Sequence, residues 1–240
     1  MKPIPLFVTL CVLLCAYPLT ARSQTAAPDA GTPEPSPDVD RTFGELEAAH
    51  VGLDMLSARF QHTKEVPLFD EKIVSRGVLY YRKPEELLLR YTEPDSSTVL
   101  IARDQIWLYY PDLKQAHRYE IDPDMALPGV FLGFGGSSDR MRERFDVTIE
   151  PSVRMGGKAT VRIRMTPKAG TPFDGEVRSI ELLVRRDTYL PLRCEFWEET
   201  GDHTLFEFTA YERNPKLDPA LFAFTPPEGT EVFELEGESW

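Results

Sequence analysis

Four histidines, three cysteines and 39 carboxylates hold most of the reactive chemistry of this 240-residue chain. A metal site needs ligands at short, regular spacing, and His50, His62, His117 and His203 are scattered without it. Gly-x-Ser-x-Gly, His-Glu-x-x-His, paired cysteines and a dinucleotide-binding glycine fingerprint do not occur. Asp122 and Asp124 sit in turn sequence, where carboxylates cap and solvate. Gly133-Phe134-Gly135-Gly136-Ser137-Ser138 has the glycines of a phosphate loop but lacks the lysine and the preceding buried strand. These patterns predict no catalytic residue, no metal and no cofactor. His50 reads as a helix-face residue, and Cys194 as a small buried apolar group.

What remains is a surplus of apolar and aromatic side chains. Trp107, Tyr109, Tyr81, Leu89, Tyr91, Phe131 and Phe134 exceed what one face of a covered sheet requires. They fit either a plain two-layer core or an apolar cavity for acyl chains. Each methylene buried there contributes about 0.8 kcal/mol.

The elements that position these residues are short. Leu56, Ala58, Phe60 and His62 alternate with Ser57, Arg59 and Gln61, the period-two pattern of a strand. Further strands are expected at 73–81, 87–91, 99–102, 105–110 and 116–121, with Arg103-Asp104 as a hairpin turn. After an interruption they resume at 146–149, 160–165, 176–185, 190–197 and 205–211. Gly156-Gly157 and Gly201-Asp202 read as hairpin turns. About eleven strands without crossover helices imply a large, mostly antiparallel sheet. A sheet that long must curl, with its concave side covered by the available helices. Those are 40–54, with Asp40 as its N-cap, then about 124–132 and about 138–144. In the last, Ser138 is the cap and Arg140, Arg142 and Arg144 are solvated. Asp218-Pro219-Ala220-Leu221-Phe222 is a helical turn with proline first. Alternation does not decide which face of the Trp107 strand points inward, because both faces are apolar.

The formal net charge of −12 argues against a nucleic-acid partner. Residues 1–23 read as a cleavable signal peptide: Lys2, the apolar run Leu6 to Ala16, and Ala21-Arg22-Ser23 before Gln24. Residues 24–39 form a Pro/Ala-rich flexible linker and 40–240 the folded domain. Cys11 and Cys15 leave with the signal, so Cys194 stands without an internal disulfide.

Three stretches carry a resemblance. Gly77-Val78-Leu79-Tyr80-Tyr81-Arg82-Lys83-Pro84 with Leu87-Leu88-Leu89-Arg90-Tyr91-Thr92-Glu93-Pro94 is the first, and Ile106 to Gln115 the second. The closing Phe222-Ala223-Phe224-Thr225-Pro226-Pro227-Glu228-Gly229 is the third. Together, over about Asp40 to Val232, the chain resembles the periplasmic outer-membrane lipoprotein carrier family, LolA. The resemblance implies a mainly β fold with an α lid: an incomplete, strongly curved antiparallel β-barrel over an apolar cavity. It implies a non-enzymatic carrier in the periplasm of a Gram-negative bacterium. Such a carrier is a monomer that takes acylated lipoproteins from an inner-membrane ABC-type release complex to an outer-membrane receptor. The acyl cavity would be lined by Leu79, Tyr81, Leu87, Leu89, Tyr91, Trp107, Tyr109, Phe131 and Phe134. Two departures stand out. The family's arginine before the second-strand proline, which ties sheet to lid, is Lys83 here, with Arg82 beside it. Lysine offers a point charge and no planar fork, so either residue could serve as the latch. Leu89 replaces an aromatic common in the third strand. With the proline-rich leader and acidic tail, these differences leave open a carrier of another lipid, or a lipid- or lipoprotein-sensing regulatory module of the same fold.

Overall fold

The computed structural model of the protein describes residues 38–102, 105–120, 138–150 and 154–235. The signal peptide, most of the linker, the Arg103-Asp104 turn, the expected helix at 124–132, and Phe131 and Phe134 lie outside the described residues.

One mixed sheet organises the chain. Its strands are β1 (Met55–Val66), β2 (Glu71–Arg82), β3 (Glu86–Glu93), β4 (Ser97–Ala102), β5 (Gln105–Tyr110) and β6 (Gln115–Glu120). After the interruption come β7 (Phe145–Glu150), β8 (Arg154–Met155), β9 (Lys158–Pro167), β10 (Val177–Arg185), β11 (Pro191–Glu198), β12 (His203–Arg213) and β13 (Glu231–Leu235). Spatially they run β13-β6-β5-β4-β3-β2-β1-β12-β11-β10-β9-β7, with β8 hairpinned onto β9. The two ends do not pair, so the curved sheet stays open. All eleven expected strands are present. The two additions are the short β8 and β13, and β13 lies parallel to β6 with Val232 opposite Ala116. The Gly156-Gly157 turn has φ of 57° and 78°, the left-handed pair that a two-residue hairpin of this twist requires.

Among the described residues two α-helices accompany the sheet, α1 (Val39–Ala49) and α2 (Ser138–Arg144). Asp38, not Asp40, caps α1: its carboxylate accepts from the Asp40 amide at 3.1 Å. The helix ends five residues before the expected Asp54, because the backbone turns left-handed at Gly52 (φ 70°). Leu53, within the expected helix range, is a fully buried residue of the connection into β1.

Alternation divides the sheet into two faces. The inner face and the helices form one buried cluster, which includes Phe43 and Leu46 of α1, Met141 of α2, Leu56 and Phe60 of β1, and Phe206 and Phe208 of β12. The outer face carries a small second cluster of Leu88, Leu100 and Phe222. The 3₁₀ turn Pro219–Phe222, capped by Asp218, supplies the last of these.

Candidate functional site

Five of the expected cavity residues meet on the inner face. Cross-strand register sets Leu79 opposite Leu89, Tyr81 opposite Leu87, and Gly77 opposite Tyr91. Leu79, Tyr81, Leu87, Leu89 and Tyr91 all belong to the main buried cluster, which also includes Phe43 and Leu46 of α1. Gly77 makes room for that packing, since a Cβ there would come within 2.7 Å of the Phe60 ring. The Phe60 ring stands edge-on to Tyr91, centroids 5.0 Å apart.

Trp107 and Tyr109 are corrected. Both lie on the outer face, where their rings sit 5.1 and 5.2 Å from Phe224. The inward residues of β5 are Ile106 and Leu108. The C-terminal segment folding back over β5 decides the matter, by giving the outward aromatics a partner of their own.

The space beneath the helices, expected to be hollow, is occupied. Phe43 is 1% exposed and Leu46 3%, packed with side chains of the inner face. A cavity of about 560 Å³ and another of about 410 Å³ are lined mainly by outer-face side chains. A charged residue at Leu89 would therefore enter a packed interior and destabilise the fold, instead of only blocking a void.

The helices are tied down by polar contacts at their ends. Lys83 Nζ donates to the His50 carbonyl at 2.9 Å, and Arg213 to the Ala49 carbonyl at 3.0 Å. Both cations thus satisfy C-terminal carbonyls of α1 that have no partner within the helix. Asn214 accepts from the amides of Asp54 and Met55 and donates to the Gly52 carbonyl, fixing the connection into β1. Arg82 points the other way: it pairs with Glu86 and lies 4.4 Å over the Phe222 ring on the outer face. Of the two latch candidates, only Lys83 reaches the helix. Arg140 and Arg142 are not simply solvated. Arg140 pairs with Glu85 at 3.0 Å and Arg142 with Asp40, while Ser138 contacts Glu47 and Tyr189 contacts Glu45. His50 is buried at the C-cap of α1, and burial lowers its pKa.

At the other end of the inner face lies a polar group whose pairing alternation could not announce. Lys64 is 2% exposed and contacts Glu198 at 2.6 Å and Asp202 at 3.0 Å. His62 stacks on Phe206 at 4.3 Å, with its Nδ1 3.2 Å from the Tyr91 hydroxyl. Burial, reinforced by the Lys64 charge, pushes the His62 pKa down to about 3. The inward position of His62 follows from the period of β1, whereas the long-range pairing of Lys64 has no local signature. Among the described residues no group of three or more His, Cys, Asp or Glu could hold a metal ion.

The family model for "Outer membrane lipoprotein carrier protein LolA" matches residues 52–225. The chain belongs to the LolA family. A curated LolA-family relative, the outer-membrane lipoprotein carrier protein of Alkalilimnicola ehrlichii, is 27% identical over 201 residues, covering 82% of this chain and 85% of its own length. That of Alcanivorax borkumensis is 29% identical, covering 68% and 70%. A crystal structure of an uncharacterized conserved protein from Thermus thermophilus superposes with a TM-score of 0.53 at 14% identity, covering 82% of this chain and 98% of that one, and so shares the fold. The LolA match begins just before β1 and ends just after the 3₁₀ turn Pro219–Phe222, so it contains the inner face, Lys83 and Arg213.

Proposed function

We propose that this protein is a periplasmic chaperone that shields the acyl chains of lipoproteins. It would receive them from an inner-membrane ABC-type release complex and deliver them to an outer-membrane receptor. The observation that carries the reading is an apolar inner face closed by a helix whose last carbonyls are held by two side chains, Lys83 and Arg213. Lys83 serves as the latch, and Leu79, Tyr81, Leu87, Leu89 and Tyr91 form the wall on which the tails lie. Export by the 1–23 leader places the protein in the periplasm, and the carrier role itself calls for no catalytic residue.

The energies are compatible with loading. Lifting α1 exposes Phe43 and Leu46, at roughly 1.5–3 kcal/mol per large apolar side chain, or about 3–6 kcal/mol together. A tail leaving water contributes about 0.8 kcal/mol per methylene, so about eight methylenes offset the opening. A tail leaving a bilayer gains little, because lipid is as apolar as leucine. Loading therefore needs an external release step, whereas retention in water does not.

Native mass spectrometry of the protein isolated from the periplasm tests this. Complexes with acylated lipoprotein are expected, as is release of lipoproteins from spheroplasts when the purified protein is added. Recovery of apo protein alone, with no release from spheroplasts, would overturn the proposal.

A further inference from the structure

The outer face offers a second apolar site, independent of the inner one. Leu88 and Leu100 are each 2% exposed, although they point away from the main core. Phe222 and its neighbours cover them as the chain returns over β3 to β5. The covering segment leaves a cavity of about 410 Å³, within the roughly 300–1,000 Å³ of small-molecule sites. Leu88 and Leu100 line it together with Tyr109, Leu221 and Phe224, and Arg90 lines it too. Arg90 is exposed and makes no ion pair among the described residues; its nearest ring is Tyr80, 6.0 Å away. Asp218, at the same cavity, already spends its carboxylate on the Ala220 amide at 2.9 Å. A guanidinium with no ion-pair partner among the described residues, beside an apolar recess, is notable in a chain of net charge −12.

We infer that this cavity binds a single aliphatic chain bearing an anionic head group, its tail along Tyr109, Leu221 and Phe224 above the buried Leu88 and Leu100, and its head beside Arg90. A fatty carboxylate and a single-chain phosphate ester share that chemistry. A guanidinium engages either head through charge-assisted hydrogen bonds. Each methylene taken out of water there tightens binding about fourfold, which sets the tail-length dependence.

The test uses the purified protein with leucine methyls labelled for NMR, titrated below micellar concentration with laurate, dodecyl phosphate and uncharged dodecanol. Laurate should shift the methyls of Leu88, Leu100 and Leu221 and leave those of Leu79 and Leu89 in place. Comparison with dodecyl phosphate tells which head the site prefers. Arg90→Gln should weaken both anions about fivefold and leave dodecanol unchanged. Ala223→Trp, which plugs the cavity from an exposed position, should abolish the shifts. Shifts confined to the inner-face leucines, equal affinity for laurate and dodecanol, or indifference to Arg90→Gln would each overturn the inference. None of these results bears on lipoprotein loading, which uses the opposite face.

Discussion

Along β1 the inward side chains change character halfway. Leu56, Ala58 and Phe60 are hydrocarbon, whereas His62 and Lys64 are polar, yet all five are at most 4% exposed. The two halves are equally dry and differ in what could replace their neighbours. Leu56 and Phe60 of the first half belong to the same buried cluster as Phe43 and Leu46 of α1, and a hydrocarbon tail makes the same kind of contact as those side chains. Around the second, Lys64 needs Glu198 and Asp202, and no acyl chain can substitute for a carboxylate. Under the proposed function the first half is where the cap gives way to cargo, and the second is a fixed floor that keeps the sheet curved while it does so.

The largest effect should come from removing the floor's cation. Lys64→Met leaves two buried carboxylates without their partner and is expected to cost about 3–5 kcal/mol in urea unfolding. Replacing Lys64, Glu198 and Asp202 together by apolar residues of similar volume should restore most of that loss. A single substitution costing under about 1 kcal/mol would erase the distinction between the halves.

The next effect is a pH dependence belonging to the same half. His62 titrates near 6.5 in the unfolded chain and near 3 in the folded one, where burial, helped by Lys64, opposes its charge. Between those values the unfolded chain binds the extra proton, so the contribution of this group falls as pH drops, by about 1.4 kcal/mol per unit. Above pH 6.5 it contributes no slope. His203 acts in the opposite sense: Glu195 raises its pKa, so its contribution is full below 6.5 and is lost as pH rises above that. His62→Phe, which keeps a ring to stack on Phe206, should flatten the acid limb of stability against pH. An unchanged limb would mean that other groups set it.

The two halves were not equally legible in the sequence. The apolar half follows from alternation, and β5 and α2 fall on their expected residues, because local patterning and turn chemistry fix them. The floor did not show, because a lysine at an inward position says nothing about carboxylates 134 and 138 residues away. The side on which Trp107 and Tyr109 lie was not legible in alternation, because both faces of their strand are apolar. Residues distant in sequence, Phe222 and Phe224 among them, make the outer face a buried one. The parallel β13 escaped for the same reason: its partner β6 lies more than a hundred residues earlier. Arg82 and Lys83 were separable in principle, since Leu79 and Tyr81 point inward and Arg82 must therefore point out.

The smallest effect concerns the capped half and is local. Lys83 is half-buried, and its bond to the His50 carbonyl is shared work, with Arg213 holding the adjacent carbonyl of Ala49. Lys83→Met should therefore lower the free energy of opening α1 by about 1 kcal/mol, a typical net value for one partly exposed hydrogen bond. Global stability should change by less, because the floor and the strand pairing do not depend on this contact. Hydrogen exchange separates the two quantities, as amides of α1 report the local opening and those of central β1 the global one. Adding Arg213→Gln should more than double the local loss, since the second cation can no longer retain the helix end after the first is gone. If α1 and β1 instead lose protection equally, the helix unfolds with the sheet and is no lid, and the contrast between a movable half and a fixed half fails at its movable end.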